Sequence, residues 1–321
     1  IYRKQLHFAC YEIHVVHTRN ANKKIILVTG EQITPVSCIP NSSKMSKVKK
    51  TIDEAKESLN TELDLVDRSI TSFEELPGLS VVPPGLANLI NLEILNFSNN
   101  WIQELPVSLS SLPKLRILNV SINRLNSLPR GFGAFPVLEI LDLTYNNLNE
   151  KTLPGNFFMM ETLRALYLGD NDFEYIPPGI GQLKNLQILS LRENDLIELP
   201  SEIGELTRLR ELHLQANRLT VLPPELGNLD LASNKAMLRI EGNFWITPID
   251  DQLKLGTSHV LDYIRSETYQ GEISKYVSRS NMQLYVSRSN MFFFFFFFFI
   301  KTFSKVTILQ HAITSIFQSL S

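Results

Sequence analysis

Residues 138–148 read Leu138-Glu-Ile-Leu141-Asp-Leu143-Thr-Tyr-Asn146-Asn-Leu148. Reduced to its apolar places and its asparagine, this is L-x-x-L-x-L-x-x-N-x-L, and the pattern recurs six times between residues 92 and 219. The other copies are built on Leu92/Leu95/Phe97/Asn100/Ile102, Leu115/Leu118/Val120/Asn123/Leu125, Leu163/Leu166/Leu168/Asn171/Phe173, Leu186/Leu189/Leu191/Asn194/Leu196 and Leu209/Leu212/Leu214/Asn217/Leu219. Their asparagines step by 23, 23, 25, 23 and 23 residues. Alternating apolar residues such as Leu141 and Leu143 point to one face of a short strand. One repeat cannot bury that face alone, so neighbours must stack into a continuous core. The asparagine ends each strand at a turn, where its amide can satisfy backbone groups that burial would leave unpaired.

That motif and period are those of the leucine-rich repeat. The predicted fold is an α/β solenoid, a horseshoe with a parallel sheet on its concave side. Leu105-Pro106, Leu128-Pro129, Leu199-Pro200 and Leu222-Pro223 punctuate the return legs. Proline lacks a donor and fixes φ, which suits an irregular convex side. Caps close both ends: an amphipathic helix over 46–60 and a helix over 247–269, with Thr247 as N-cap, Pro248 first and Asp250 in the first turn. Leu63-Asp-Leu65 is a degenerate first repeat, and Leu238, Ile240, Asn243 and Trp245 form a worn last one, so the repeats run from about 63 to 245. Arg68 and Asn100 are 32 residues apart where two periods of 23 would give 46. A half-repeat is therefore missing near residue 80, and the stacking is expected to break there.

The chain of 321 residues divides into three expected domains. Residues 1–44 lack a usable period and are read as a disordered, non-native upstream extension, with Met45 as the start of the repeat domain at 45–270. Residues 271–321 repeat Tyr-Val-Ser-Arg-Ser-Asn-Met at Tyr276 and Tyr285, then run through eight consecutive Phe at Phe292–Phe299. Eight aromatics without a polar break cannot all face a core, so this is read as a low-complexity, non-native tail. The net charge of -2 is a cancellation, because residues 45–270 hold 20 Lys and Arg against 30 Asp and Glu. Nothing there asks for nucleic acid. Cys10 and Cys38 do not make a disulfide framework, and no apolar run reaches the length of a membrane span.

No catalytic constellation, cofactor motif or metal-ligand spacing emerges, and the expectation is a non-enzymatic, monomeric binding protein without a cofactor. The repeat phase places its binding residues. Reading across copies gives outward columns that hold Asp142, Tyr167 and His213, then Arg192, then Tyr145, Asp170 and Glu193, and one step on Trp101, Arg124, Asp172 and Asp195. Tyr145, Tyr167 and Trp101 are the kind of anchor that interfaces favour. The surrounding acids predict a partner with a basic patch. The six asparagines Asn100, Asn123, Asn146, Asn171, Asn194 and Asn217 are assigned to structure rather than binding.

Finer marks carry a resemblance. Arg130-Gly-Phe-Gly133, Leu141-Asp-Leu-Thr-Tyr-Asn-Asn-Leu-Asn149, Leu153-Pro-Gly-Asn-Phe-Phe158, Leu222-Pro-Pro-Glu-Leu-Gly-Asn-Leu-Asp230, Trp245-Ile-Thr-Pro-Ile249 and Tyr263-Ile-Arg-Ser-Glu-Thr-Tyr269 closely resemble the Ras suppressor family of intracellular leucine-rich repeat proteins. The likeness covers about Met45 to Tyr269. It departs at the half-repeat near 80 and after Tyr269, where the family has a lysine-rich tail. What it implies is a cytoplasmic adaptor at cell–matrix adhesions. Such an adaptor binds a LIM-domain protein of the PINCH type in the integrin-linked kinase assembly and modulates Ras signal transduction, so Ras pathway components are further implied partners. The competing reading is a Ras-type GTPase-binding or phosphatase-regulatory repeat scaffold.

Overall fold

The computed structural model describes residues 50–55, 57, 60–68 and 89–273, and the backbone of three strands nearer the start. Those strands, β1 (Tyr2–Phe8), β2 (Tyr11–His17) and β3 (Ile25–Val28), pair antiparallel in the order β1-β2-β3. The expectation of disorder throughout 1–44 is corrected to that extent. The physical reason lies in runs such as Ile13-His-Val-Val16 and Ile25-Ile-Leu-Val28, whose β-branched residues favour extended backbone. The tail from 274 onward, Phe octet included, lies outside the described residues.

The repeat domain is a parallel sheet of eight three-residue strands. They are β4 (Glu62–Asp64), β5 (Ile94–Asn96), β6 (Ile117–Asn119), β7 (Ile140–Asp142), β8 (Ala165–Tyr167), β9 (Ile188–Ser190), β10 (Glu211–His213) and β11 (Met237–Arg239). Each pairs with the next in sequence, so equivalent repeat positions stand side by side, as Leu118 beside Leu141. The central leucines of β5 to β10 (Leu95, Leu118, Leu141, Leu166, Leu189 and Leu212) are fully buried. The return legs carry short 3-10 turns at Val107–Ser111, Pro178–Gln182, Ser201–Glu205 and Pro224–Asn228, each entered through an extended proline. The longer 25-residue repeat fills its extra space with Phe157 and Phe158, which pack edge-on at 5.1 Å while Phe157 stacks on Phe132 at 6.3 Å.

The asparagines bind the stack together. Asn146 is typical: its Oδ1 accepts from the N–H of Leu125 in the preceding repeat at 3.0 Å, and its Nδ2 donates to the carbonyls of Val120 at 3.1 Å and Leu143 at 3.0 Å. The other five asparagines, and Asn243 after them, make the same bridge. Each buried amide thus satisfies groups on two repeats at once, which is why a smaller or apolar residue does not substitute for it.

Two expectations are corrected. Stacking does not break where the half-repeat is missing. β4 pairs with β5 in register, Glu62 beside Ile94, and Asn100 donates to Leu65 O at 2.9 Å. The reason is that Leu63 and Leu65 present the same inward pair as a regular repeat, so the longer connection, residues 69–88 of which lie outside the described residues, still delivers a strand to its neighbour. The C-terminal cap is several helices rather than one. α1 (Thr247–Leu255) ends at Gly256, whose φ of 132° suits only glycine, and α2 (Thr257–Arg265) follows, with further helix at 267–273. Thr247 is inside α1, and the capping position is Ile246 with extended backbone and no side-chain bond.

Candidate protein-interaction surface

Because each strand is only three residues long, its outer residues alternate with one buried leucine, and two columns face out of the sheet. One is the predicted column of Asn96, Asn119, Asp142, Tyr167, Ser190 and His213, brought into line by strand register. The other is Ile94, Ile117, Ile140, Ala165 and Ile188, ending at Glu211. Its isoleucines are half-buried, with no repeat beyond the sheet to cover them. Sequence reasoning missed this column because it sorted the variable places by their polar chemistry. The signal was the recurrent isoleucine just before the second apolar place of the motif, present in four of the six copies.

The remaining predicted residues sit past the strand ends, along one rim. Asn99, Ile122, Tyr145, Asp170, Glu193 and Ala216 all have φ between 52° and 56° or, for Tyr145, 58°, because the chain turns sharply there to place the buried asparagine. Trp101, Arg124, Asp172 and Asp195 follow those asparagines on the same rim. The Arg124 guanidinium lies 4.9 Å from the Trp101 ring centre. Trp101, Ile122 and Tyr145 stand exposed in three successive repeats, an apolar strip beside the sheet.

The predicted acidic character is partly compensated within the chain. Arg192 pairs with Asp170 at 3.0 Å and lies across Gly169, where a Cβ would meet its side chain at 2.9 Å. Asp142 spends one oxygen on the N–H of Thr144 at 2.9 Å, closing a local turn. His213 stands 3.5 Å from Glu211. Burial, and after it the carboxylates Glu211 and Asp142, push the Tyr167 phenol up, so it remains a neutral hydrogen-bond donor in the middle of the sheet. The face is therefore an apolar floor bordered by an aromatic rim, with Asp142, Asp172, Glu193, Asp195 and Glu211 among its acids. Among the described residues, no His, Cys, Asp and Glu cluster into a metal site, and no helix is long and apolar enough to cross a membrane.

A family model described as a leucine-rich repeat region matches residues 131–234, and a single-repeat model matches residues 91–112. The eight-stranded domain is a leucine-rich repeat solenoid. The solenoid is similar to Ras suppressor protein 1 of Mus musculus and of Homo sapiens, each 57% identical over 55 residues, or 17% of this chain and 18% of the relative. Its counterpart in Bos taurus is 58% identical over 55 residues. The likeness to the Ras suppressor family stands on these relatives, although the matched stretch spans less than a fifth of their length. Among solved structures, a leucine-rich repeat protein of Leptospira interrogans is 28% identical, covering 61% of this chain and 58% of its own, with a TM-score of 0.46. The leucine-rich repeat ectodomain of a plant membrane receptor kinase from Arabidopsis thaliana is 33% identical over 52% of this chain and 20% of that one, with a TM-score of 0.45. Leucine-rich repeat folds typically serve as protein-interaction scaffolds.

Proposed function

We propose that the solenoid is a non-enzymatic adaptor that holds a LIM-domain partner of the PINCH type on its concave side. In this reading it acts in the cytoplasm as a monomer, joins the integrin-linked kinase assembly at cell–matrix adhesions and modulates Ras signalling. The observation that carries it is the half-buried column Ile94, Ile117, Ile140 and Ile188 beside Tyr167. An apolar floor with few charges of its own and a polar, aromatic border is the anatomy of a protein interface. Trp101, Tyr145 and Tyr167 supply anchors, and Asp142, Asp172, Glu193 and Asp195 supply the charge that selects a basic partner surface. The likeness to proteins named Ras suppressor protein 1 supports the link to Ras signalling, and the LIM-domain partner class is what the family resemblance implies.

The test is capture from an adhesion-forming cell with the full chain as bait. Recovery of a PINCH-type LIM protein together with integrin-linked kinase is expected. Recovery of an activated Ras-type GTPase or a phosphatase catalytic subunit, without the LIM protein, would replace this reading with a GTPase-binding or phosphatase-regulatory scaffold.

A further inference from the structure

Just ahead of the strands, on the edge opposite the aromatic rim, charges alternate from repeat to repeat. Arg116 reaches Glu93 at 3.8 Å and Glu139 at 3.0 Å, and Arg164 reaches Glu139 at 3.6 Å. The alternation then fails. The next place, due an acid, is Gln187, and the one after it is Arg210. Arg210 therefore follows a neutral amide, and two more cations, Arg208 and Lys235, stand near it. With Thr207, Ser233 and Asp230, all exposed, they line an open surface recess of about 480 Å³.

Among the described residues, no carboxylate lies within 4.0 Å of the charged nitrogens of Arg208, Arg210 or Lys235. Arg208 is instead held by donating through Nη1 to Asn185 Oδ1 at 2.6 Å. Three cations against the single acid Asp230 make the recess positive, within a repeat domain whose 30 acids outnumber its 20 bases. Two guanidinium forks, an ammonium and two hydroxyls offer more donors than a carboxylate can use, and they suit a tetrahedral anion.

We infer that this recess binds a phosphate group. Its two possible carriers are a phosphorylated side chain of a bound protein and a free soluble polyphosphate. The site lies off the concave face, so it stands independently of the adaptor reading.

The test is calorimetric titration of the full 321-residue chain with inorganic phosphate, a short phosphoserine peptide and inositol hexakisphosphate. Saturable one-site binding is expected, weakened about ten-fold or more in the Arg210→Gln/Lys235→Gln variant and unchanged in a Lys114→Gln control. Tighter binding of the peptide than of inorganic phosphate assigns the carrier to a protein, and tighter binding of the inositol ligand assigns it to a small molecule. Circular dichroism melting verifies that the variant is folded, and Lys235→Gln alone, in a loop, gives the same comparison if the pair is not. Equal affinity in variant and wild type, acetate competing as well as phosphate, or no saturation would each overturn the assignment.

Discussion

Ile122 combines a β-branched side chain with a φ of 54°, and that side chain is 47% exposed. Left-handed backbone costs an ordinary L-residue about 1–2 kcal/mol, and asparagine much less. Every repeat makes this left-handed turn, but others place Asn99, Asp170 and Gly242 there, so the β-branched side chain of Ile122 is not a requirement of the fold. Strain of this kind is found where function retains it. Ile122→Asn is expected to raise stability by about 0.5–1 kcal/mol in denaturant unfolding while weakening capture of the partner. Lower stability would show that Ile122 packs for the fold, and undiminished capture would remove it from the interface. Asn146 is its counterpart inside the molecule. Asn146→Leu leaves the Leu125 N–H without a partner, while the Val120 and Leu143 carbonyls keep the Asn123 and Asn171 amides as donors, so a loss of about 1–3 kcal/mol in the same measurement is expected.

Among the elements, the C-terminal cap is tied to the last full repeat by Arg265, which donates to the Gly227 and Leu229 carbonyls, and by one buried phenol. Tyr269 is fully buried, accepts from Leu222 N–H at 3.0 Å and donates to Leu222 O. Burial pushes its pKa up to about 12, with the Leu222 hydrogen bond opposing. An unfolded tyrosine titrates near ~10. The folded state therefore prefers the neutral phenol, so this contribution is complete below pH ~10 and is lost as pH rises toward ~12. Melting curves across that window are expected to show a steep alkaline loss that Tyr269→Phe flattens. The same variant costs about 1–3 kcal/mol at neutral pH, because the Leu222 backbone groups lose their partner. Equal alkaline slopes in the two proteins would take Tyr269 out of the cap. The elements were legible in the sequence to different degrees. Strand positions and the asparagine bridge followed from the leucine spacing, because period and burial are one signal in a stacked repeat. The break at Gly256 did not, since nothing near it marks a helix end except the glycine itself. Nor did the isoleucine column, because an apolar residue on a strand reads as core until the absence of a covering layer is seen.

For the whole molecule, stability is a sum over neighbouring repeats, and the asparagine bridges make each repeat depend on the one before it. The continuous sheet from β4 to β11 means that the irregular 32-residue spacing between Arg68 and Asn100 does not divide the domain, so its eight strands present one uninterrupted concave face. Partner binding on that face is the central claim, and its apolar floor is the part no internal contact explains. The decisive measurement is the affinity of the full chain for a PINCH-type LIM protein, with and without Ile117→Lys and Ile140→Lys. Both isoleucines are only half-buried, so the double variant is expected to keep the circular dichroism spectrum and melting temperature of the parent while losing at least about ten-fold in affinity. A folded double variant that binds the LIM protein as tightly as the parent would contradict the account.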